Sequence, residues 1–166
     1  YRDNEWFAQG LIPIRTLPLQ ETPYKRGGVY VVIGGAGGIG EAWSKWMIEK
    51  YQAKIIWIGR RKSDSTILEK LDALSKTGSA SIYIQADAAN KDELKKAYQQ
   101  IKQTYSQVNG IIHSAIVLLD SSLAKMDEER FKAGLQAKVD VSVRMAEVFE
   151  KECLDFVLFF SSMISF

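Results

Sequence analysis

Five of the seven residues at positions 34 to 40, GGAGGIG, are glycine, and they follow an apolar, β-branched run. Gly35, Gly37 and Gly40 satisfy G-x-G-x-x-G, while Gly34, Gly38 and Gly40 satisfy G-x-x-x-G-x-G. Between a strand and a helix, such a turn lets backbone N–H groups approach a pyrophosphate, and the helix N-terminus adds a favourable dipole. Side chains there would stand in the ligand's way. The whole turn, Gly34, Gly35, Ala36, Gly37, Gly38, Ile39 and Gly40, therefore reads as a dinucleotide cradle. Arg60 and Arg61 follow Gly40 by about twenty residues, where an NAD site carries an acid for the ribose 2′-OH. Guanidinium groups at that place accommodate a 2′-phosphate instead, which points to NADPH; the alternative is a solvated basic turn. Asp64, the first acid after these arginines, comes too late for the ribose. Asp87 has two open readings, an acceptor for the adenine amino group or a cap for a helix starting near Lys91. Its neighbour Ala88 joins the expected cofactor wall.

A second group of residues could move protons. Phe131, Leu135, Ser142, Ala146 and Phe149 recur at helical spacing as the expected inward stripe of one long helix, and Lys138 lies in the middle of it. A lysine there either snorkels outward or works in a cleft. Ser161 and Ser162 end an apolar run in FVLFFSS, at the sheet edge where the glycine turn also lies. Taken with the turn and the arginines, they favour the cleft, and a redox site. His113, at the end of another apolar run, reads as a core residue near that site. Cys153 stands alone, so it forms no internal disulfide and fits a reducing compartment; it reads as core filler rather than a nucleophile. No metal site is expected.

The elements that must position these groups can be read from the same pattern. The 166 residues suit one domain, and a hydrophobic fraction of 46% is ample for a core. Twenty-two basic against 20 acidic residues give a net charge of +2, with no domain-scale basic field and hence no nucleic-acid partner. No apolar run reaches the roughly 18 residues of a membrane span and no signal peptide is visible, so no membrane partner is expected and the expected location is cytoplasmic. Pro13, Pro18 and Pro23 are the three prolines, which marks residues 1–27 as a linker and 28–166 as the functional unit. Apolar strands are expected at 29–33, 54–58, 81–86, 110–115 and 156–161, alternating with helices at 40–51, 65–77, 91–106 and 127–151. On the helix 40–51, Ala42, Trp43, Trp46 and Met47 share the expected buried face. This alternation demands crossovers and cover on both faces, a Rossmann-like doubly wound parallel α/β sheet of order 3-2-1-4-5. Ligand is expected at the strand C-termini near the switch between the first and fourth strands.

From Gly28 to Phe166 the chain resembles the catalytic half of a ketoreductase domain of a modular polyketide synthase, within the short-chain dehydrogenase/reductase superfamily. The residues that carry the resemblance are GGAGGIG, GRR, GIIHSA, AKVD and FVLFFSS. Free-standing members of the superfamily end the fourth strand in Asn-Ala-Gly and place Asn on the active-site helix, whereas synthase ketoreductases resemble His113-Ser114-Ala115 and carry Lys on the helix, as at Lys138. The resemblance implies an NADPH-dependent reduction of a ketone on an acyl chain tethered to an acyl carrier protein, alongside other domains of the same synthase. It implies cofactor contacts at Ser114 and Ala115, a catalytic pair in Lys138 and Ser162, and a catalytic Tyr beyond Phe166, so that the chain is an excerpt truncated at its C-terminal end. Residues 1–27 would be the exit of a preceding structural subdomain. Asp120 matches the second Asp of a Leu-Asp-Asp sequence associated with D-configured products, the first Asp being replaced by Leu119; the alternative is a helix cap. Ile33 replaces a usual Thr and Ile116 a usual Gly. The competing readings are a free-standing short-chain reductase of a small ketone and a non-catalytic scaffold.

Overall fold

Strands built from β-branched and aromatic residues, apolar on both faces, must be covered on both. The computed structural model describes residues 3–6, 21–119 and 121–161. Among them five strands form one parallel sheet: β1 (Val29–Ile33), β2 (Lys54–Gly59), β3 (Ile82–Gln85), β4 (Gly110–His113) and β5 (Phe156–Phe159). Their order is β3-β2-β1-β4-β5, the doubly wound Rossmann-like arrangement that the alternation implies. The register sets Ile84, Ile58, Ile33, His113 and Phe159 in one row. Whatever follows each strand therefore emerges along one edge of the sheet.

The helices are α1 (Gly38–Tyr51), α2 (Ser65–Ser75), α3 (Lys91–Thr104), α4 (Glu128–Gln136) and α5 (Val139–Val148). Successive strand residues point to opposite faces. Val29, Val31, Ile33, Ile58 and Ile111 pack with Leu94 and Ile101 of α3 and with Met145 of α5. Tyr30, Val32, Ile55, Trp57 and Ile112 pack with Met47 and Ile48 of α1 and Leu74 of α2. Three helices start on side-chain caps: Asp64 accepts from the Ile67 N–H, Asn90 from Asp92 and Glu93, and Asp127 from Arg130. In contrast, α1 starts at Gly37, which has no side chain to cap with, and its first-turn amides stay available to an anion.

Several sequence expectations need correction. The single helix expected at 127–151 is two, broken at 137–138, where the Lys138 N–H turns back to the Leu135 carbonyl at 2.9 Å. Half-buried Gly134, Ala137 and Lys138 continue at helical spacing into buried Val141, Met145 and Phe149 across the break, whereas Phe131 and Leu135 are 55% and 46% exposed and Ala146 is also outside. On α1 the buried residues are Gly40, Ser44, Met47 and Ile48; of the expected face Met47 is buried and Trp43 is half-buried against the core, but Ala42 is exposed and Trp46 joins a surface aromatic cluster with Tyr24 and Tyr51. Cys153 is exposed in the turn before β5 and fills no core. The strands β3, β4 and β5 end earlier than expected because their last residues leave the ladder to build the loops at the edge. Of the linker 1–27, residues 1, 2 and 7–20, including Pro13 and Pro18, lie outside the described residues.

Candidate functional site

The glycine turn is shaped first by the protein beneath it. Gly34 has φ +82°, and a Cβ there would lie 2.6 Å from the Ala115 nitrogen; at Gly35 it would lie 2.0 Å from Cδ1 of Trp57, and at Gly40 2.7 Å from the Gly35 Cα. These three positions need glycine because backbone and indole crowd them, which corrects the expectation that the ligand alone excludes side chains. A Cβ on Gly38 would meet nothing within 4 Å, and one on Gly37, which lines the cleft, would lie 3.2 Å from the Gly34 carbonyl oxygen, so the ligand argument survives for Gly37 beside that backbone contact. The indole of Trp57 also donates to Ser44 Oγ at 2.9 Å, and that hydroxyl donates to the Gly40 carbonyl at 2.6 Å, fixing the start of α1 from below. Across the strand switch, Ser114 donates to the Ile33 carbonyl through both its N–H and its hydroxyl, at 2.9 and 3.0 Å.

Above the turn runs a cleft of about 470 Å³. Gly34, Ala36 and Gly37 line its middle, Arg60, Arg61 and Tyr83 one end, and Ser114, Ala115 and Ile116 the other, with Ala137 and Val141 of the α4–α5 junction closing over it. Gly35, Gly38, Ile39 and Gly40 do not line it: Gly35 and Gly40 are packed under the turn, a Cβ on Gly38 would meet nothing within 4 Å, and the Ile39 side chain is exposed. The Arg61 guanidinium lies 3.9 Å from Asp64, whose carboxylate is already committed to capping α2, so the pairing is loose. Asp87 and Ala88 line the cleft as well. Asp87 does not cap the helix, since Asn90 does; its carboxylate accepts from the Ala89 N–H at 2.9 Å, and its own N–H donates to Glu93 at 2.8 Å. Uncapped amides in the middle and guanidinium groups at one end suit a long ligand with phosphate at both places.

Lys138 sits at the break between α4 and α5, and its Nζ donates to the Phe160 carbonyl at 2.9 Å. That carbonyl immediately follows β5 and precedes Ser161. Burial pushes the Lys138 pKa below the ordinary lysine value. Beneath it His113, 1% exposed, has neither ring nitrogen hydrogen-bonded. Burial first, and the Lys138 charge second, hold its pKa below the usual histidine value; the Ala137 carbonyl opposes the shift but completes no hydrogen bond. His113 is thus a neutral core residue at the foot of the lysine. Ser162 and Asp120 lie outside the described residues, and Ser161, the last one described, is exposed.

Residues 28–166 match the family model described as the KR domain. The chain belongs to the KR domain family. Two relatives are polyketide synthases of Bacillus subtilis (strain 168). PksN is 62% identical over 166 residues, which is 100% of this chain, and PksM is 54% identical over 165 residues, or 99%. The chain spans only 3% and 4% of their lengths. Among solved structures, a ketoreductase domain from the bacillaene assembly line superposes with a TM-score of 0.83 at 30% identity, covering 89% of this chain and 36% of that one. An N-terminal ketoreductase from the macrolactin assembly line gives 0.81 at 34% identity, covering 84% and 29%. The resemblance to polyketide-synthase ketoreductases that the motifs carry is therefore a family relationship.

In this KR domain several residues that shape the cleft were invisible to motif reading. Trp57 and Ser44 act from below the turn, and their pairing depends on a contact between β2 and α1 that periodicity does not specify. Gln136 and Ala137 reach the cleft through the helix break, which no Pro or Gly at 137–138 announced. Lys70 of α2 touches the glycine turn from a distance of 34 positions in the chain.

Proposed function

We propose that this KR domain catalyses the NADPH-dependent reduction of a β-ketoacyl thioester carried by an acyl carrier protein, giving the D-configured hydroxyacyl thioester. The observation that carries the reading is the single cleft with an uncapped helix start at its middle, Arg60 and Arg61 at one end and Lys138 near the other. The α1 amides and the turn around Gly37 hold the pyrophosphate, Arg60 and Arg61 take the 2′-phosphate, and Asp87 receives the adenine amino group. Ser114 and Ala115 wall the nicotinamide end. When bound, NADPH supplies the hydride that reduces the ketone carbon. Ser162 donates a hydrogen bond to the ketone oxygen as charge gathers there, and a Tyr from beyond Phe166 gives that oxygen its proton. Lys138, partly desolvated and cationic, orients the Tyr and stabilises its anion. Asp120 steers the tethered chain into the cleft from one side, so that one ketone face is presented. The identity of the chain with PksN and PksM supports a synthase setting, with the other domains of the same polypeptide as partners.

The test uses the intact ketoreductase with a 3-ketoacyl thioester and NADPH, and resolves the product by chiral chromatography. The D-hydroxyacyl thioester is expected. Predominantly L product would remove the stereochemical role from Asp120, and no reduction of any acyl thioester would overturn the reading as a whole.

A further inference from the structure

Lys70 lies in the middle of α2, yet its side chain reaches the glycine turn. Its Nζ donates to the Ala36 carbonyl at 3.0 Å and pairs with the Glu41 carboxylate at 2.6 Å. Both side chains are about two-thirds buried, at 28% and 35% exposure.

The Ala36–Gly37 peptide unit is held at both of its polar ends. The Gly37 N–H donates to the Gly34 carbonyl at 3.0 Å, and the Ala36 carbonyl receives Lys70. A peptide flanked by glycine reorients at little steric cost, so the side chains of the turn do not fix this plane. Lys70 does. Its second contact has a separate consequence. Glu41 stands in the first turn of α1, beside the amides that face the cleft. The helix dipole favours a carboxylate there when no ligand is bound, but the same negative charge repels a phosphate placed on those amides. With Lys70 against it, that charge is cancelled.

We propose that Lys70 is a positioning residue for the cofactor: it locks the glycine turn in its binding form and neutralises Glu41 beside the pyrophosphate. This rests on the reading of the cleft as an NADPH site.

The experiment titrates NADPH by fluorescence into the intact ketoreductase and measures KM and kcat beside it, for the parent, Lys70→Met, Lys70→Arg, Glu41→Gln and the double variant Glu41→Gln/Lys70→Met. Loss of a charge-assisted bond with an uncompensated carboxylate left behind is expected to raise the Lys70→Met Kd about tenfold or more, with kcat at saturating NADPH within about twofold of the parent. Lys70→Arg is expected to restore most of the affinity, Glu41→Gln to bind at least as tightly as the parent, and the double variant to recover much of the loss. A Lys70→Met Kd equal to the parent's would overturn the inference while leaving the cofactor reading intact. So would a Glu41→Gln variant as weak as Lys70→Met, since that pattern belongs to a merely structural ion pair. Should Lys70→Met fail to fold, Lys70→Arg and Glu41→Gln decide by the same criteria. A parent that binds no NADPH brings down the cofactor reading itself.

Discussion

The Lys138 ammonium rests 2.9 Å from the carbonyl that precedes Ser161, at the point where β5 delivers the chain to the cleft edge. A cation held by one carbonyl and partly desolvated keeps capacity for a second partner, which suits a phenol that must lose its proton. Replacing Lys138 or Ser162 with Ala is expected to lower turnover on the order of a hundredfold or more in the intact ketoreductase, because in the proposed mechanism each acts on charge that develops during the reaction. NADPH affinity, measured by fluorescence, is expected to change much less for Ser162→Ala. Near-normal turnover of that variant would transfer the role to Ser161. Lys138 and the serine pair stand out in the sequence because lysine at helical spacing with apolar residues and paired serines after an apolar strand both violate local pattern. The burial around Lys138 was not legible. Phe131 and Leu135 share helical spacing with the lysine, yet both are exposed, and the half-buried positions of α4 are Ala133 and Gly134 instead.

At the level of elements, the site depends on strands and helices being tied down at the opposite edge of the sheet. Glu152 lies in the turn between α5 and β5; its side chain is 5% exposed and accepts from the Tyr98 hydroxyl of α3 at 2.6 Å and from the Val108 N–H at 3.0 Å, with Lys102 of α3 at 2.7 Å. Burial pushes the Glu152 carboxyl up, but the bonds from Lys102, Tyr98 and Val108 outweigh it and hold the pKa below the ordinary value. Burial and the same carboxylate push Tyr98 up to about 12. A depressed carboxylate stabilises the fold above its unfolded pKa and loses that contribution as pH falls through the folded value; a raised phenol stabilises below its unfolded pKa and loses it as pH rises through about 12. Glu152→Gln in the intact ketoreductase is therefore expected to cost about 1–3 kcal/mol near neutral pH. It is also expected to flatten the loss of stability on going down to about pH 4. Chemical denaturation at several pH values checks both, and an unchanged acid slope would show that this tether does not govern it. None of this was visible in the sequence, where Glu152 and Tyr98 are 54 positions apart on two surface-patterned segments. The capping residues Asp64, Asn90 and Asp127 belong to local patterns, but only Asp64 stood out, and for its distance from the ribose rather than its cap.

For the whole molecule, alternating buried strands and helices specify the 3-2-1-4-5 sheet with little freedom, because right-handed crossovers and two-sided burial leave few other arrangements. That topology alone brings the glycine turn, Arg60, Arg61, Asp87 and Ser114 to one edge, although they are spread over 80 positions of chain. What topology does not choose is the cofactor, and in the proposed reading the choice falls to the two guanidinium groups. The central claim, an NADPH-dependent ketoreductase, is tested most directly by comparing kcat/KM for NADPH and NADH with a 3-ketoacyl thioester, in the intact ketoreductase and in its Arg60→Ala/Arg61→Ala variant. Two charge-assisted contacts to a 2′-phosphate predict a preference for NADPH of about a hundredfold or more in the parent, most of it lost in the double variant. Equal use of NADH by the parent, or full discrimination kept by the double variant, would contradict it.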